Sequence, residues 1–442
     1  MSFGGLYISV SGIYANKKAL DTVSHNIANV NNPNYVRQSA IHAESSYSKT
    51  TDVRFQKGTG VSVQQIRQIR DEFLDIKLRR EMATFGYHST KAEILSEVEI
   101  IFDSEFQEVM NHFWKGWEEL SKEPDSLTIR ALLHENAVAF TTTANHISTQ
   151  LDNLQFNLNK EMLNKAEEVN NILRNVADLN HKIKTIEAYG QNISANDYRD
   201  NRNAYLDRLS ELIPITYYEN QYGEAVVSLN GRDLINGDYF SPIDIRLDDK
   251  GHGQIHWSDT GDRIDLNGMG ELGGYIDARD QVVVEYRERL NILVETLAEK
   301  INEIHKKGKT LDWNSDKRDE PFITTEIDFF IIEDKDNSAA SIKVNPFLED
   351  FNKIAVSGSG AKGDGTIAKE ILDLREKLLF GKYNPEYNPE YDSANPIGSP
   401  NKFIETDVLS IDDFYRDLIL KLGLERQDSR DMAQNQTMLI KQ

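Results

Sequence analysis

Three places in this 442-residue sequence hold residue types that could do chemistry. The first, Gly358-Ser359-Gly360-Ala361-Lys362-Gly363, fits the G-x-G-x-x-G pattern whose backbone cradles a dinucleotide's pyrophosphate. It follows the apolar Ile354-Ala355-Val356 and precedes a helical pattern, as such a site requires. The unit must also close with a second parallel strand carrying an acid. Gly381 and a proline-rich stretch follow the helix instead, and no strand–helix alternation elsewhere would build a doubly wound sheet. The glycines read as a turn between strand and helix. The second place, Asp334-Lys335-Asp336-Asn337-Ser338, starts like a calcium loop. Its sixth position is Ala339 rather than glycine and its twelfth is Asn345 rather than glutamate, which removes the sharp turn and the bidentate ligand. The third is the set of ten histidines, which show no H-E-x-x-H or similar zinc spacing; His25, His112 and His134 fall in helical segments. The sequence has no G-x-S-x-G and no P-loop, and its carboxylates are too abundant to single out a pair. Nothing here supports catalysis, a cofactor or a metal.

Composition narrows the partners. Acidic residues number 72 against 50 basic ones, a formal net charge of −22. Such a chain repels phosphate, so nucleic acid is a poor partner, and the charge keeps it soluble. The absence of cysteine excludes disulfides, thiolate zinc sites and cysteine nucleophiles. No run is long and apolar enough to span a membrane. Met1 to Val10 lacks the basic start and apolar stretch of a cleaved secretory signal. The length predicts two or more domains.

The elements follow from periodicity. Leu6, Val10, Ile13, Leu20 and Ile27 alternate four and three along a first helix, with Val23 and Val30 widening the stripe and Lys17 and Ser24 interrupting it. The helix runs out at Asn29-Val30-Asn31-Asn32-Pro33-Asn34-Tyr35. Tyr35 to Val63 is polar and extended, with a turn at Gly58-Thr59-Gly60. Helical periodicity resumes near Asp71 and reaches Lys122, with a break expected at Gly86. Asp125 to Tyr189 has neither glycine nor proline and carries two apolar runs, from Phe140 to Leu158 and from Val169 to Ile186. One continuous helix there would be ~95 Å long at ~1.5 Å per residue, a rod; a midway break would give a long hairpin. Its asparagines, Asn157, Asn164 and Asn170, are weak helix formers. Between Tyr217 and Leu266 the period becomes two, with Asn230-Gly231 as a hairpin signal. A helix is expected from about Tyr275 to His305, strands from Phe322 to Val344, a helix from Ile367 to Leu379, and a helix again from Ile411 to Gln442.

The segment from Ala19 through Asn26-Ile27-Ala28-Asn29 to Pro33-Asn34-Tyr35-Val36-Arg37 resembles the signature shared by axial proteins of the bacterial flagellum, the rod, hook and hook-associated proteins. Asn34 stands where that family usually has glycine, and asparagine tolerates the same backbone angles. Later segments resemble the hook-associated protein 1 family in particular: Asn201 to Leu212, Gly270 to Asp280, Ala340 to Pro346 and Ala355 to Asp364.

The resemblance implies a mainly α fold with β-rich insertions (α+β), an elongated multidomain rod with a long helical bundle or coiled coil. It implies a structural role at the hook–filament junction, needed for filament assembly and motility. The partners implied are other copies in a helical ring, hook protein below, a second junction protein and flagellin above, and a flagellar export chaperone. Export would run through the flagellar channel to the cell exterior without a cleaved signal. The expected assembly interface comprises Leu6, Val10, Ile13, Leu20, Val23, Asn26, Ile27, Asn29, Pro33 and Tyr35. The expected parts are an axial segment at 1–65, a long-helix part at 66–215, β-rich parts at 216–270 and 311–360, a helix at 271–310, and a returning helical segment at 361–442 with a proline-rich linker at 383–400. The family closes with a C-terminal helix that pairs with the N-terminal one, and the expectation is that the sequence stops short of it at Gln442. Another axial protein (hook, rod or flagellin-like) is the alternative within the class; a nucleotide-binding enzyme is the remote one.

Overall fold

The computed structural model describes residues 3–32, 34–45, 48–49, 56–102, 105–190, 193–313, 326–384 and 403–441. The chain forms two compact units, each assembled from separated stretches. One comprises Met1–His88, Glu161–Gly274 and Met432–Gln442; the other comprises Ser89–Lys160 and Tyr275–Asp431.

Helices carry most of the structure. α1 (Phe3–Ala28) is followed by an antiparallel pair, β1 (Gln38–Glu44) with β4 (Val61–Gln68), and within it the short β2 (Ser48–Lys49) pairs with β3 (Gln56–Lys57). α2 runs unbroken from Glu72 to Ile101, through Gly86, where a break was expected. A Cβ on Gly86 would lie 2.3 Å from the carbonyl oxygen of Glu211. The glycine permits a close backbone approach and does not end the helix. α3 spans Glu105–Lys122, and α4 is one helix of 61 residues, Leu127–Glu187, about 90 Å long at ~1.5 Å per residue. The midway break does not occur.

In the first unit, α5 (Asn196–Leu212) precedes a four-stranded antiparallel meander, β5 (Thr216–Glu219), β6 (Ala225–Leu229), β7 (Arg232–Asn236) and β8 (Tyr239–Phe240). The β6–β7 turn places Asn230 at φ 51° and Gly231 at φ 80°, the left-handed pair that a tight hairpin needs. A second hairpin joins β9 (Ile243–Leu247) to β10 (Gly253–Trp257).

The expected helix at Tyr275–His305 starts earlier and is not uniform. α6 (Gly270–Asp277) passes through a π-helical turn, Ala278–Val282, into α7 (Val283–His305). The turn frees the Arg279 carbonyl, which accepts a hydrogen bond from Gln155 Nε2 at 3.0 Å.

The second unit adds β11 (Phe330–Ile332) paired with β12 (Ile342–Val344), α8 (Thr366–Asp373), β13 (Phe380–Tyr383) paired with β14 (Phe403–Leu409), and α9 (Ile411–Lys441). α8 stops short of the expected Leu379 because the chain turns to bring Phe380 into β13, stacked on Phe414 with ring centroids 4.7 Å apart. Most of the proline-rich linker lies outside the described residues. Phe113, Trp117, Phe140, Phe329 and Phe330 pack ring against ring in a core sealed from water. His305 is fully buried at its edge: its Nδ1 donates to the Ile327 carbonyl (2.7 Å), and its Nε2 accepts the Ala355 N–H (2.9 Å). Burial holds the imidazole neutral, with its pKa lowered to about 4.

One device recurs: helix asparagines pair with strand backbone in these small sheets. Asn170 accepts the Ile243 N–H (2.8 Å) and donates to its carbonyl (2.9 Å). Asn180 does the same for Ala225, at 2.9 Å in each direction. Asn302 accepts from the N–H groups of Phe329 and Phe330 and donates to the Phe330 carbonyl. Each amide acts as one more peptide unit of a strand, which satisfies buried backbone groups. Two weak helix formers of α4, Asn170 and Asn180, are thus strand partners.

Candidate assembly surface

The three places singled out for chemistry fold as follows. Ile354–Val356 is not a strand; only an isolated bridge joins Lys309 to Ser357. In the glycine-rich loop, the Asp364 carboxylate accepts from Ser357 Oγ (3.0 Å), Ser359 N–H (2.7 Å), Ser359 Oγ (2.6 Å) and Thr366 N–H (3.0 Å). The Ser359 and Thr366 donors hold that carboxyl well below the usual carboxylate range. A side-chain anion from the loop itself occupies the donors that a phosphate would need. Asp334 is turned onto its own loop, accepting from Asp336 N–H (3.0 Å) and Asn337 Nδ2 (3.1 Å).

The surface that stands out is α1. From Phe3 to Asn16 it carries no charge. Ser9 and Ser11 bond back to the carbonyls of Gly5 and Ile8, so even its hydroxyls are partly used locally. The helix rests on the β1–β4 pair through a close approach at Ser11, whose Oγ accepts the Val61 N–H at 3.1 Å. Gly60, at φ +121°, has a Cβ position 2.1 Å from that Oγ, so only glycine fits there.

The expected interface residues divide into two sets. Leu6, Val10, Ile13, Leu20, Val23 and Ile27 stand in water, from 38% exposed at Val10 to 68% at Ile13 and Ile27. Tyr7, Ile8, Tyr14 and Val30 are exposed beside them, and of these only Val30 falls on the apolar spacing. The uncharged run was the signal for them. A contiguous apolar face of this kind is unusual on a surface that meets only water.

Asn26, Asn29 and Tyr35 do something else. Asn26 Oδ1 accepts the Gln38 N–H (2.9 Å) and the Tyr35 hydroxyl (2.8 Å), while its Nδ2 donates to the Gln38 carbonyl (2.9 Å). The Tyr35 oxygen in turn faces His25 Nδ1 at 3.0 Å. Asn29 Nδ2 caps the His25 carbonyl at 3.0 Å. These polar residues clasp the end of α1 to the start of β1. Pro33 lies outside the described residues. Beside the clasp runs a groove of about 610 Å³, lined by Val23, Ile27, Val30, Tyr35, Arg37 and Ala40 among others.

Helices with an uncovered apolar face and internally spent polar groups suit a subunit of an assembly. Residues 6–35 match the family model of flagella basal body rod proteins. Residues 95–318, just over half of the sequence, match the model of the flagellar hook-associated protein FlgK helical domain. The chain belongs to the flagellar hook-associated protein FlgK family. It is 28% identical to flagellar hook-associated protein 1 of Bacillus subtilis, over 98% of this chain and 88% of that relative. It is 23% identical to flagellar hook-associated protein 1 of Salmonella typhimurium, over 81% of this chain and 66% of that relative. The flagellar hook junction protein FlgK from Burkholderia pseudomallei aligns in structure with a TM-score of 0.48 at 16% identity, over 53% of this chain and 44% of that one.

Proposed function

We propose that this chain is a structural subunit of the bacterial flagellum at the junction of hook and filament, joined to other copies through the apolar face of α1. Family membership supports the flagellar role, and the observation that carries the contact assignment is the exposure of Leu6, Ile13, Leu20 and Ile27 along one helix whose first half, Phe3 to Asn16, is uncharged. In a chain of net charge −22, copies can approach most closely where neither presents charge. Hook protein on one side, with a second junction protein and flagellin on the other, are the neighbours this position requires. Export through the flagellar channel, with a chaperone guarding the apolar face beforehand, completes the reading.

A strain lacking the gene tests the role. Electron microscopy should show bare hooks, and flagellin should accumulate in the medium; normal filaments would overturn the junction reading, and missing hooks would move the protein to the hook or rod. Complementation with the Leu20→Asp, Ile27→Asp double variant tests the face. Incorporation should be lost while the urea midpoint of the purified variant stays at the wild-type value, because both side chains are already exposed. Normal incorporation would remove those residues from the contact.

A further inference from the structure

The sequence holds three asparagine–glycine pairs, all in the first unit: Asn230-Gly231, Asn236-Gly237 and Asn267-Gly268. A glycine after asparagine leaves its backbone nitrogen unshielded by a Cβ, within reach of the asparagine's own carboxamide carbon. The fold treats the three pairs differently. Asn230 Nδ2 donates to the Asp265 carbonyl (2.6 Å), which pins that carboxamide beside the β6–β7 turn. Asn236 Nδ2 donates to Asp233 Oδ2 (2.9 Å), and the Gly237 that follows is buried, its carbonyl accepting from Asn180 Nδ2 (2.7 Å). Asn267 and Gly268 are both exposed. They are the central residues of a tight turn, at φ 51° and 63°, closed by the Met269 N–H on the Leu266 carbonyl (3.1 Å). Asn267 spends only its backbone N–H, on Asp265 Oδ1 (2.8 Å). Among the described residues, neither its carboxamide nor the Gly268 N–H has a hydrogen-bond partner.

We propose that Asn267 is a site of spontaneous modification, cyclising with Gly268 and opening to aspartate or isoaspartate faster than either other pair. The Gly268 nitrogen attacks Cγ of Asn267. The N–Cγ bond forms, the Cγ–Nδ2 bond breaks, and Nδ2 leaves as ammonia with the proton that Gly268 gives up. Water then opens the five-membered imide. Attack at Cγ leaves aspartate; attack at the main-chain carbonyl leaves isoaspartate, with the chain running through the former side chain. One water enters and one ammonia leaves. Cyclisation requires the turn to depart briefly from its resting dihedrals. At Asn267 no hydrogen bond of the carboxamide has to break first, whereas at Asn230 and at Asn236 one must. Either product adds a negative charge, and isoaspartate lengthens the backbone by one carbon. The exposed turn has room for it: the nearest atoms to a Cβ built on Gly268 belong to the Tyr87 ring, at 3.8 Å. Two residues on, the Cβ position of Gly270 lies 2.3 Å from the Leu212 carbonyl, so the extra atom is absorbed in the turn and not in α6. Asn267 reacts in this way whether or not α1 is the contact face.

Peptide mass spectrometry on the purified full chain, aged in mildly alkaline buffer, tests it. Trypsin separates the three pairs by cutting after Arg208, Arg232, Arg246, Arg263 and Arg279. The 264–279 peptide should gain about one mass unit, a hydroxyl replacing the amide nitrogen and its protons. It should do so about fivefold faster than the peptides holding Asn230 and Asn236, the factor that one extra hydrogen bond imposes. In urea the three rates should converge, because no fold then holds the carboxamides. Asn267→Gly, which suits a φ of 51°, should remove the mass gain from its own peptide and leave the other two rates unchanged. Equal rates for the three pairs in the folded chain, or a faster Asn230 or Asn236, would overturn the proposal. So would a mass gain that survives Asn267→Gly in that peptide, or a lead of Asn267 that persists in urea and so belongs to the local sequence.

Discussion

Phe113, Trp117, Phe140, Phe329 and Phe330 are sealed in the second unit, whereas Leu6, Tyr7, Ile13, Leu20 and Ile27 of α1 stand in solvent. Both sets sit on helices or beside them at regular apolar spacing. The aromatic set meets partners from α3, α4, β11 and the segment before it within the same chain. Among the described residues the α1 set meets none of comparable size, and its helix is held by a clasp of amides instead. Apolar periodicity thus marks a face that will be covered without telling what covers it. The polar groups make the distinction: Asn26 and Tyr35 are spent on fixing α1, and its apolar face, the proposed contact, stays exposed.

The comparison breaks most visibly at the aromatic core. Phe140→Ala should cost about 3–5 kcal/mol in urea unfolding, a cost no single α1 truncation should approach. A Leu20→Ala loss of similar size would mean that α1 is covered within the monomer. Acid sharpens the contrast next. His305 is held neutral with a pKa of about 4, against an ordinary value of 6.5, so the unfolded chain takes up the proton first. Stability should fall as pH drops from about 6.5 towards 4, by on the order of 3 kcal/mol at most, since the unfolded state binds more protons there. His305→Gln should flatten the urea midpoint against pH, and an unchanged slope would acquit the histidine. The smallest test is Gly86→Ala. In an exposed helix that change stabilises by up to ~1 kcal/mol. Here the new Cβ meets the Glu211 carbonyl at 2.3 Å, so the thermal midpoint should fall instead.

Much of this was legible in the sequence. The long α4 followed from a stretch free of glycine and proline, and the β6–β7 hairpin from Asn230-Gly231. The family signature pointed to α1 before any coordinates. Other features depended on contacts far apart along the chain. Gly86 looks like a helix breaker until Glu211 is set against it. Asn170 and Asn180 look like poor helix residues until strands 73 and 45 residues away are laid on them. The signature residues themselves separate into an exposed apolar stripe and an internal clasp, and spacing alone could not sort them. Asp200 carries no local signal, because Gln68, which donates to it, lies 132 residues earlier.

The uncharged run of α1 has a consequence for the solution in which copies meet. The chain's net charge of −22 sets up a repulsion that reaches as far as the Debye length, ~30 Å at 0.01 M salt and ~8 Å at 0.15 M. Added salt shortens that reach and leaves the apolar attraction of α1 untouched. Association through this face should therefore become easier as ionic strength rises, the opposite of a contact built from ion pairs.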